Sequence, residues 1–293
     1  MKVRLIIQGP YYCDDNISTL MCIKSALDSK LFSSICLSTY DTPELEEIRH
    51  HNIEIIINND PGCESYDPYR QCYNNNNRQT VSLASAVLEG KFDITIKIRS
   101  DSYIKDFKML KSVLEDFMSS SKDFLFCDTT SVDYKIFYQK ILFHLSDWVI
   151  GFKSTQDTIM NSLPLENEKK DTDWVLNLTG PLKKEFHDKQ GSTRYGTEQW
   201  IILNIFHRDS FPIEHSYDYS ESAKALYEDD LERVMCVPLY KMGMRSMKYP
   251  KIHYPHYDRY ENYLGKYEKL IYKLIGTAHK LITFLYKKQN VID

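Results

Sequence analysis

Short apolar runs alternate with longer amphipathic stretches through the first half of the chain. Residues 3–8 (VRLIIQ) form an apolar run that stops at Gly9-Pro10, the pattern of a buried strand closed by a turn. SICLSTY at 34–40 and IEIII at 53–57 follow, the latter closing in Asn58-Asn59-Asp60-Pro61-Gly62. ITIKI at 94–98 ends at Arg99-Ser100-Asp101, FLFC at 124–127 reads as a fifth strand, and DWVIGF at 147–152 as a sixth. Helical stretches lie between them. Ser18 suits the cap of a helix running through Ser25-Ala26-Leu27, Pro43 the first turn of a second, and residues 78–88 a third that ends at Gly90. Phe107, Leu110, Leu114 and Phe117 share one face of a helix over 107–118. This alternation predicts an α/β fold, a mostly parallel sheet covered by helices on both faces.

In an open sheet of that kind, ligands bind beyond the carboxyl ends of the strands. Three strand ends are therefore site candidates: Gln8-Gly9-Pro10, Asp60-Pro61-Gly62 and Arg99-Ser100-Asp101. Lys97 and Arg99 alternate with Ile96 and Ile98, which puts both basic groups on one side of the strand. Arg99 has the geometry to clamp a phosphate with two parallel hydrogen bonds. Asp101 is a carboxylate suited to a hard divalent cation that bridges to a diphosphate; it equally suits the cap of the next helix. Asn77-Arg78-Gln79 opens a helix, where backbone N–H groups attract phosphate or merely cap the turn.

The second half is less regular. Thr197 suits the cap of a helix over residues 198–207, and residues 208–258 read as a loop-rich aromatic stretch. Glu198 falls in the first turn of that helix, placed either to deprotonate an acceptor hydroxyl or only to favour the helix dipole. His144 and Asp147 in HLSDW are candidates for acceptor binding, and Asp147 equally well begins a strand. His253 and His256 are three apart with no Cys or acidic partner in ligand spacing, so they make no zinc motif; one of them can return to the site as a further metal ligand or phosphate contact. From residue 260 to 288, Leu, Ile and Tyr recur at helical spacing with Lys266, Lys269, Lys273, Lys280, Lys287 and Lys288 between or after them. This basic amphipathic helix suits an anionic membrane interface, or packing on the domain or on a second copy of the chain. Residues 1–258 are expected to form one domain and 259–293 this tail.

Composition narrows the classes. The 293 residues carry 42% hydrophobic and 27% charged residues, which excludes a disordered chain. A net charge of −4 argues against a general nucleic-acid binder, so no nucleic-acid partner is expected. The 22 tyrosines suit stacking on sugars and bases. Seven cysteines, an odd number with no CxxC pair, suit a reducing cytoplasm. The opening MKVRLIIQGP lacks the length and cleavage site of a signal peptide, and no window reaches 18 apolar residues. Walker, GxGxxG, GxSxG and HExxH motifs are missing, which weakens NTPase, dehydrogenase, serine hydrolase and zinc protease readings.

Taken in order, six segments resemble one family: Ile7-Gln8-Gly9-Pro10, Leu37-Ser38-Thr39-Tyr40, Asp60-Pro61-Gly62, Asn77-Arg78-Gln79, Lys97-Ile98-Arg99-Ser100-Asp101, and His144-Leu145-Ser146-Asp147-Trp148 with Gly151. Together they are similar to the WavE family of lipopolysaccharide-synthesis glycosyltransferases over roughly residues 3–205. The resemblance implies a GT-A-like fold, a nucleotide-sugar donor (UDP-linked) and a glycan or lipid-linked acceptor of the bacterial surface. Together with the unpaired cysteines and the basic tail, this gives the expectation of a cytoplasmic enzyme, peripheral at the inner membrane through that tail, with a homo-oligomer allowed. The resemblance places Arg99-Ser100-Asp101 where GT-A enzymes carry a metal-binding DxD motif, with Arg99 replacing the first acid. Donor contacts are then expected from Gln8, Gly9, Pro10, Asp60, Asn77, Arg78, Lys97, Arg99 and Asp101. A Mn²⁺ or Mg²⁺ ion is expected on Asp101, with His253 or His256, and base or acceptor roles on Glu198 or Asp147. A sugar nucleotidyltransferase and a non-catalytic nucleotide- or glycan-binding partner of a polysaccharide assembly complex are the alternatives.

Overall fold

A computed structural model describes residues 1–13, 18–62, 66–67, 72–73, 75–127, 141–188 and 193–247. The tail after 247, with His253 and His256, lies outside the described residues, as does the boundary expected at 258. Seven strands build one sheet. They are β1 (Val3–Gln8), β2 (Ser34–Tyr40), β3 (Glu54–Asn58), β6 (Ile94–Arg99), β8 (Phe124–Cys127), β9 (Val149–Lys153) and β10 (Val234–Val237). The remaining strands are two short antiparallel pairs: β4 (Tyr66–Asp67) with β5 (Cys72–Tyr73), and β7 (Ser102–Ile104) with β11 (Met244–Ser246). Helices are α1 (Thr19–Ser29), α2 (Asn76–Ala84), α3 (Phe107–Ser119), α4 (Asp157–Asn161), α5 (Glu168–Leu176), α6 (Gly180–Asp188), α7 (Thr197–Phe206) and α8 (Glu221–Leu231).

The sheet order is β10-β8-β9-β6-β1-β2-β3. Pairs β1–β2, β2–β3, β1–β6 and β8–β10 are parallel, while β9 runs antiparallel to both β6 and β8. The chain winds outward from β1 to β3, then crosses back to lay β6 on the other side of β1. The order therefore reverses between β1 and β6, and that is where an open sheet leaves a crevice at its carboxyl edge. The register pairs Gln8 with Arg99 there. This is the α/β arrangement expected, a mostly parallel sheet flanked by helices.

Strand alternation divides the sheet's faces. Val3, Leu5 and Ile7 of β1 and Ile94, Ile96 and Ile98 of β6 pack against α1 and α3 in one core. Each such buried side chain contributes roughly 1.5–3 kcal/mol. The other face carries Arg4, Ile6 and Gln8 of β1 and Thr95, Lys97 and Arg99 of β6, toward α2, α7 and α8. Lys97 and Arg99 thus share one side, as the alternation predicts. Arg4 is fully buried there, donating to the Ala86 carbonyl at 2.9 Å, Ser34 Oγ at 2.7 Å and Glu54 at 2.8 Å.

Several expectations need correction. The segment after Pro43 is a 3-10 helix, Pro43–Ile48. The third strand begins and ends one residue later than the apolar run, and the third helix spans Asn76–Ala84 rather than 78–88. The sixth strand is antiparallel; a period of two marks a strand but not its direction. Gly196, not Thr197, caps α7. The stretch from 208 holds α8, β10 and β11, so it is far more regular than its composition indicates. Cys22, Cys36, Cys127 and Cys236 are buried free thiols, and burial pushes Cys36 up to about 12. Among the described residues no helix is long and apolar enough to cross a membrane.

Candidate functional site

A cavity of about 410 Å³ opens at the carboxyl ends of β1, β2 and β6. Its first wall is the turn after β1. Gln8 Nε2 donates to the Gln79 carbonyl at 2.5 Å and to Ser82 Oγ at 2.8 Å, tying the strand end to α2. Gly9 has φ of 132°, a conformation that L side chains rarely adopt. A Cβ there would stand 2.6 Å from Ser100 Oγ. Ser100 fills that space, donating its N–H to the Gln8 carbonyl at 2.8 Å and its hydroxyl to the Pro10 carbonyl at 2.9 Å. The turn and the end of β6 are thereby locked together.

The second wall is α2 with the loop after β3. Arg78 grips Asp60 in a fork, Nε to Oδ1 at 2.8 Å and Nη2 to Oδ2 at 2.7 Å, with Nη1 to Asn75 Oδ1 at 3.2 Å. That grip holds the Asp60 carboxyl below its ordinary range. Tyr40 donates to the Arg78 carbonyl at 2.7 Å, and burial pushes its phenol up to about 12.

The floor is a compact charge cluster. Lys97 is 1% exposed; its Nζ donates to the Asp147 main-chain carbonyl and lies 3.9 Å from the Asp147 carboxylate. Burial lowers the ammonium to about 8 although Asp147 opposes the shift. Arg99 reaches Asp101 through Nε at 3.1 Å and Nη2 at 3.2 Å, and Asp147 through Nη1 at 3.5 Å. Its guanidinium lies 4.7 Å over the Trp148 ring. Burial works to lower Arg99, yet Asp147 and Asp101 hold it above its ordinary value. Burial likewise pushes Asp147 up, but Lys97, Arg99 and His144 outweigh it and hold the carboxyl low. His144 continues the chain of charges: its Nε2 lies 3.6 Å from Glu198 Oε2 on α7. Its Nδ1 is buried without a hydrogen-bond partner among the described residues.

A sequence profile of WavE lipopolysaccharide synthesis matches residues 3–241. The chain belongs to the WavE family. The match runs from the first strand of the sheet past the last, so the cavity belongs to the WavE region. No curated protein matches the chain. Among solved structures it is similar to HddC from Yersinia pseudotuberculosis, at 15% identity and a TM-score of 0.36 over 61% of this chain and 88% of that one. It is similar also to glucosyl-3-phosphoglycerate synthase from Mycobacterium tuberculosis, solved with Mn²⁺, uridine diphosphate and phosphoglyceric acid, at 9% identity and a TM-score of 0.41 over 81% and 68%. A third is a CMP:2-keto-3-deoxy-manno-octonic acid synthetase complexed with CTP, at 10% identity and a TM-score of 0.38 over 64% and 86%.

The WavE site gathers most of the expected residues. Gln8, Gly9, Pro10, Asp60, Arg78, Lys97, Arg99 and Asp147 all line the cavity. Asn77 does not: its amide is spent on the Glu166 main chain, donating to the carbonyl at 3.0 Å and accepting from the N–H at 2.7 Å. Its neighbour Asn75 lines the cavity instead. Asp101 is 2% exposed and stands behind Arg99 rather than in the wall. Glu198 does not line the cavity, and neither does His144 beside it. Sequence reasoning passed over Tyr12, Tyr40, Asn75 and Ser82 as liners. Tyr40 was within reach, since it ends a parallel strand; Ser82 lies one helical turn after Arg78.

A divalent ion does not fit the described donors. Both Asp101 oxygens face Arg99, and Asp147 is shared by Lys97 and Arg99. Among the described residues no three His, Cys, Asp or Glu side chains gather around one point.

A second cavity, about 660 Å³, lies beside α7 and is lined by Asp171, Arg194, Tyr195, Trp200 and Phe211 among others. Arg194 lies 5.1 Å over Trp174 and 5.2 Å over Tyr195, with Nη1 at 3.5 Å from Asp171. Trp200 is two residues from Glu198, about 200° around the helix, so the two side chains leave α7 on nearly opposite sides.

Proposed function

We propose that this WavE protein transfers a glycosyl group from a nucleotide-sugar donor, UDP-linked, to a lipid-linked or oligosaccharide acceptor in lipopolysaccharide or capsule synthesis. The observation that carries the reading is the cavity at the strand-order reversal, where the Gly9 turn faces Arg99 across the ends of β1 and β6. A phosphate chain needs close backbone approach and fixed cationic N–H donors, and the two elements supply one each. Asp60 and Arg78, with the Tyr12 and Tyr40 rings, suit a nucleoside: a carboxylate to accept from ribose or base, and aromatic faces to stack on it. Lys97 and Arg99 receive the diphosphate, while Asp101 positions Arg99 from behind.

In the transfer, the acceptor oxygen bonds to the anomeric carbon as that carbon's bond to the diphosphate breaks. The electron pair leaves on the nucleoside diphosphate, stabilised by Arg99. Glu198 takes the acceptor's hydroxyl proton, with His144 beside it and Asp147 next in line. The cleft beyond α7, with aromatic edges and paired charges, suits further hydroxylated rings of the acceptor. The basic tail brings the enzyme to the anionic inner-membrane surface.

The test is nucleotide release from a panel of nucleotide sugars with and without a lipopolysaccharide acceptor preparation. Acceptor-dependent release of a nucleoside diphosphate supports the reading. Pyrophosphate release from a nucleoside triphosphate and a sugar phosphate would make the protein a nucleotidyltransferase. Binding without either release would make it a non-catalytic partner.

A further inference from the structure

We infer that this chain grips the donor's diphosphate with the Arg99 guanidinium in place of a divalent metal ion. The inference rests on the nucleotide-sugar reading and deepens it. Arg99 stands where the first acid of a metal-binding pair is expected, and it has taken that pair's surviving carboxylate for itself. Both Asp101 oxygens accept from Arg99, at 3.1 and 3.2 Å, and the carboxylate is 2% exposed. A cation entering there must first break a buried two-point ion pair. It must then sit beside the guanidinium and the Lys97 ammonium, whose like charges oppose it at short range.

An anion meets the opposite situation. Arg99 is the most exposed member of the cluster, its side chain 27% exposed, and it lines the cavity while Asp101 does not. A guanidinium has five N–H groups. Two are directed to Asp101 and one to Asp147, which leaves two without a partner among the described residues and open to a ligand. The Trp148 ring, 4.7 Å away, and the Asp101 fork fix the plane of those donors before anything binds. The two carboxylates offset the charges of Lys97 and Arg99 from the protein side, so the cluster is stable empty; the phosphates then add acceptors on the open side. Asp101 is accordingly a positioning residue rather than a metal ligand.

The experiment is calorimetric titration of inorganic pyrophosphate into the full chain, once in EDTA and once in excess Mn²⁺. It is run on wild type, Arg99→Met and Asp101→Asn, with folding checked by circular dichroism. The expected result is that wild type binds pyrophosphate in EDTA and binds it no more tightly in Mn²⁺, which complexes the free anion in solution. Arg99→Met loses roughly tenfold to a hundredfold, the worth of charge-assisted hydrogen bonds. Asp101→Asn, whose amide can accept from only one arm of the guanidinium fork, weakens pyrophosphate binding by up to about tenfold, and by the same factor in EDTA as in Mn²⁺. Binding that appears only with Mn²⁺ and disappears in Asp101→Asn overturns the inference and leaves the nucleotide-sugar reading standing. A folded wild type that binds no pyrophosphate in either condition overturns both.

Discussion

The Gly9 turn makes a quantitative prediction about how the cavity is held open. In Gly9→Ala, the backbone must keep φ near 132° with a side chain attached, at about 1–3 kcal/mol. The new Cβ would also meet Ser100 Oγ at 2.6 Å, so the hydroxyl must swing away and give up its 2.9 Å bond to the Pro10 carbonyl. Losing that bond adds about 0.5–1.5 kcal/mol. The total, roughly 2–4 kcal/mol, corresponds to a melting temperature lower by roughly 5–15 °C for a chain of this size. A double-mutant cycle separates the two contributions. In Gly9→Ala with Ser100→Ala the hydroxyl is gone, and the nearest remaining side-chain atom, the Cβ at position 100, lies at an ordinary 3.5 Å. Urea unfolding of wild type, both single variants and the double variant should therefore give a double variant more stable than the sum of the singles, by about 1 kcal/mol. Additive effects, or a Gly9→Ala variant as stable as wild type, would refute the claim that Ser100 seals the turn.

Lys97 makes a prediction in pH. Burial lowers it to about 8, so from there to its unfolded value near 10.4 the unfolded chain holds a proton that the folded chain has released. Unfolding free energy, measured by denaturant titration, should rise with pH across that window, and Lys97→Met should lack the increment; equal slopes in both proteins would contradict it. Glu198→Gln should cut turnover by roughly 10²–10⁴-fold while leaving donor affinity within about twofold; equal losses in both would remove Glu198 as the base. Truncation after Arg259 should release the protein from anionic vesicles in a flotation assay, and retained binding would contradict the role given to the basic tail.

Much of the fold was legible because parallel strands, buried on both faces, leave strong apolar runs: β1, β2, β6 and β8 coincide with theirs to within a residue. Direction was not legible, since β9 has the same local pattern whichever way it runs. Four-residue β10 (VMCV) is too short to stand out beside the acidic helix α8. At the site, the strand-end rule found Gly9 and Arg99 and their shared edge. The separate helix-start reading put Asn77 there too, but an amide at a helix start serves a neighbouring backbone as readily as a ligand, and the tertiary approach of Glu166 decides between them. Asp101 shows the same limit. It sits in the turn between β6 and β7, where alternation along a strand no longer sets direction, and its burial depends on β7 and β11 pairing alongside, with Met247 donating to its carbonyl at 2.8 Å.

The central claim is that the cavity where the strand order reverses is the diphosphate site. A crystal structure of the full chain soaked with a nucleoside diphosphate tests it most directly. The account predicts phosphate oxygens at about 2.7–3.2 Å from the free N–H groups of Arg99, against the Gly9 turn. A nucleotide lodged instead in the cleft between Arg194 and Trp200, with the β1–β6 edge empty, would contradict it.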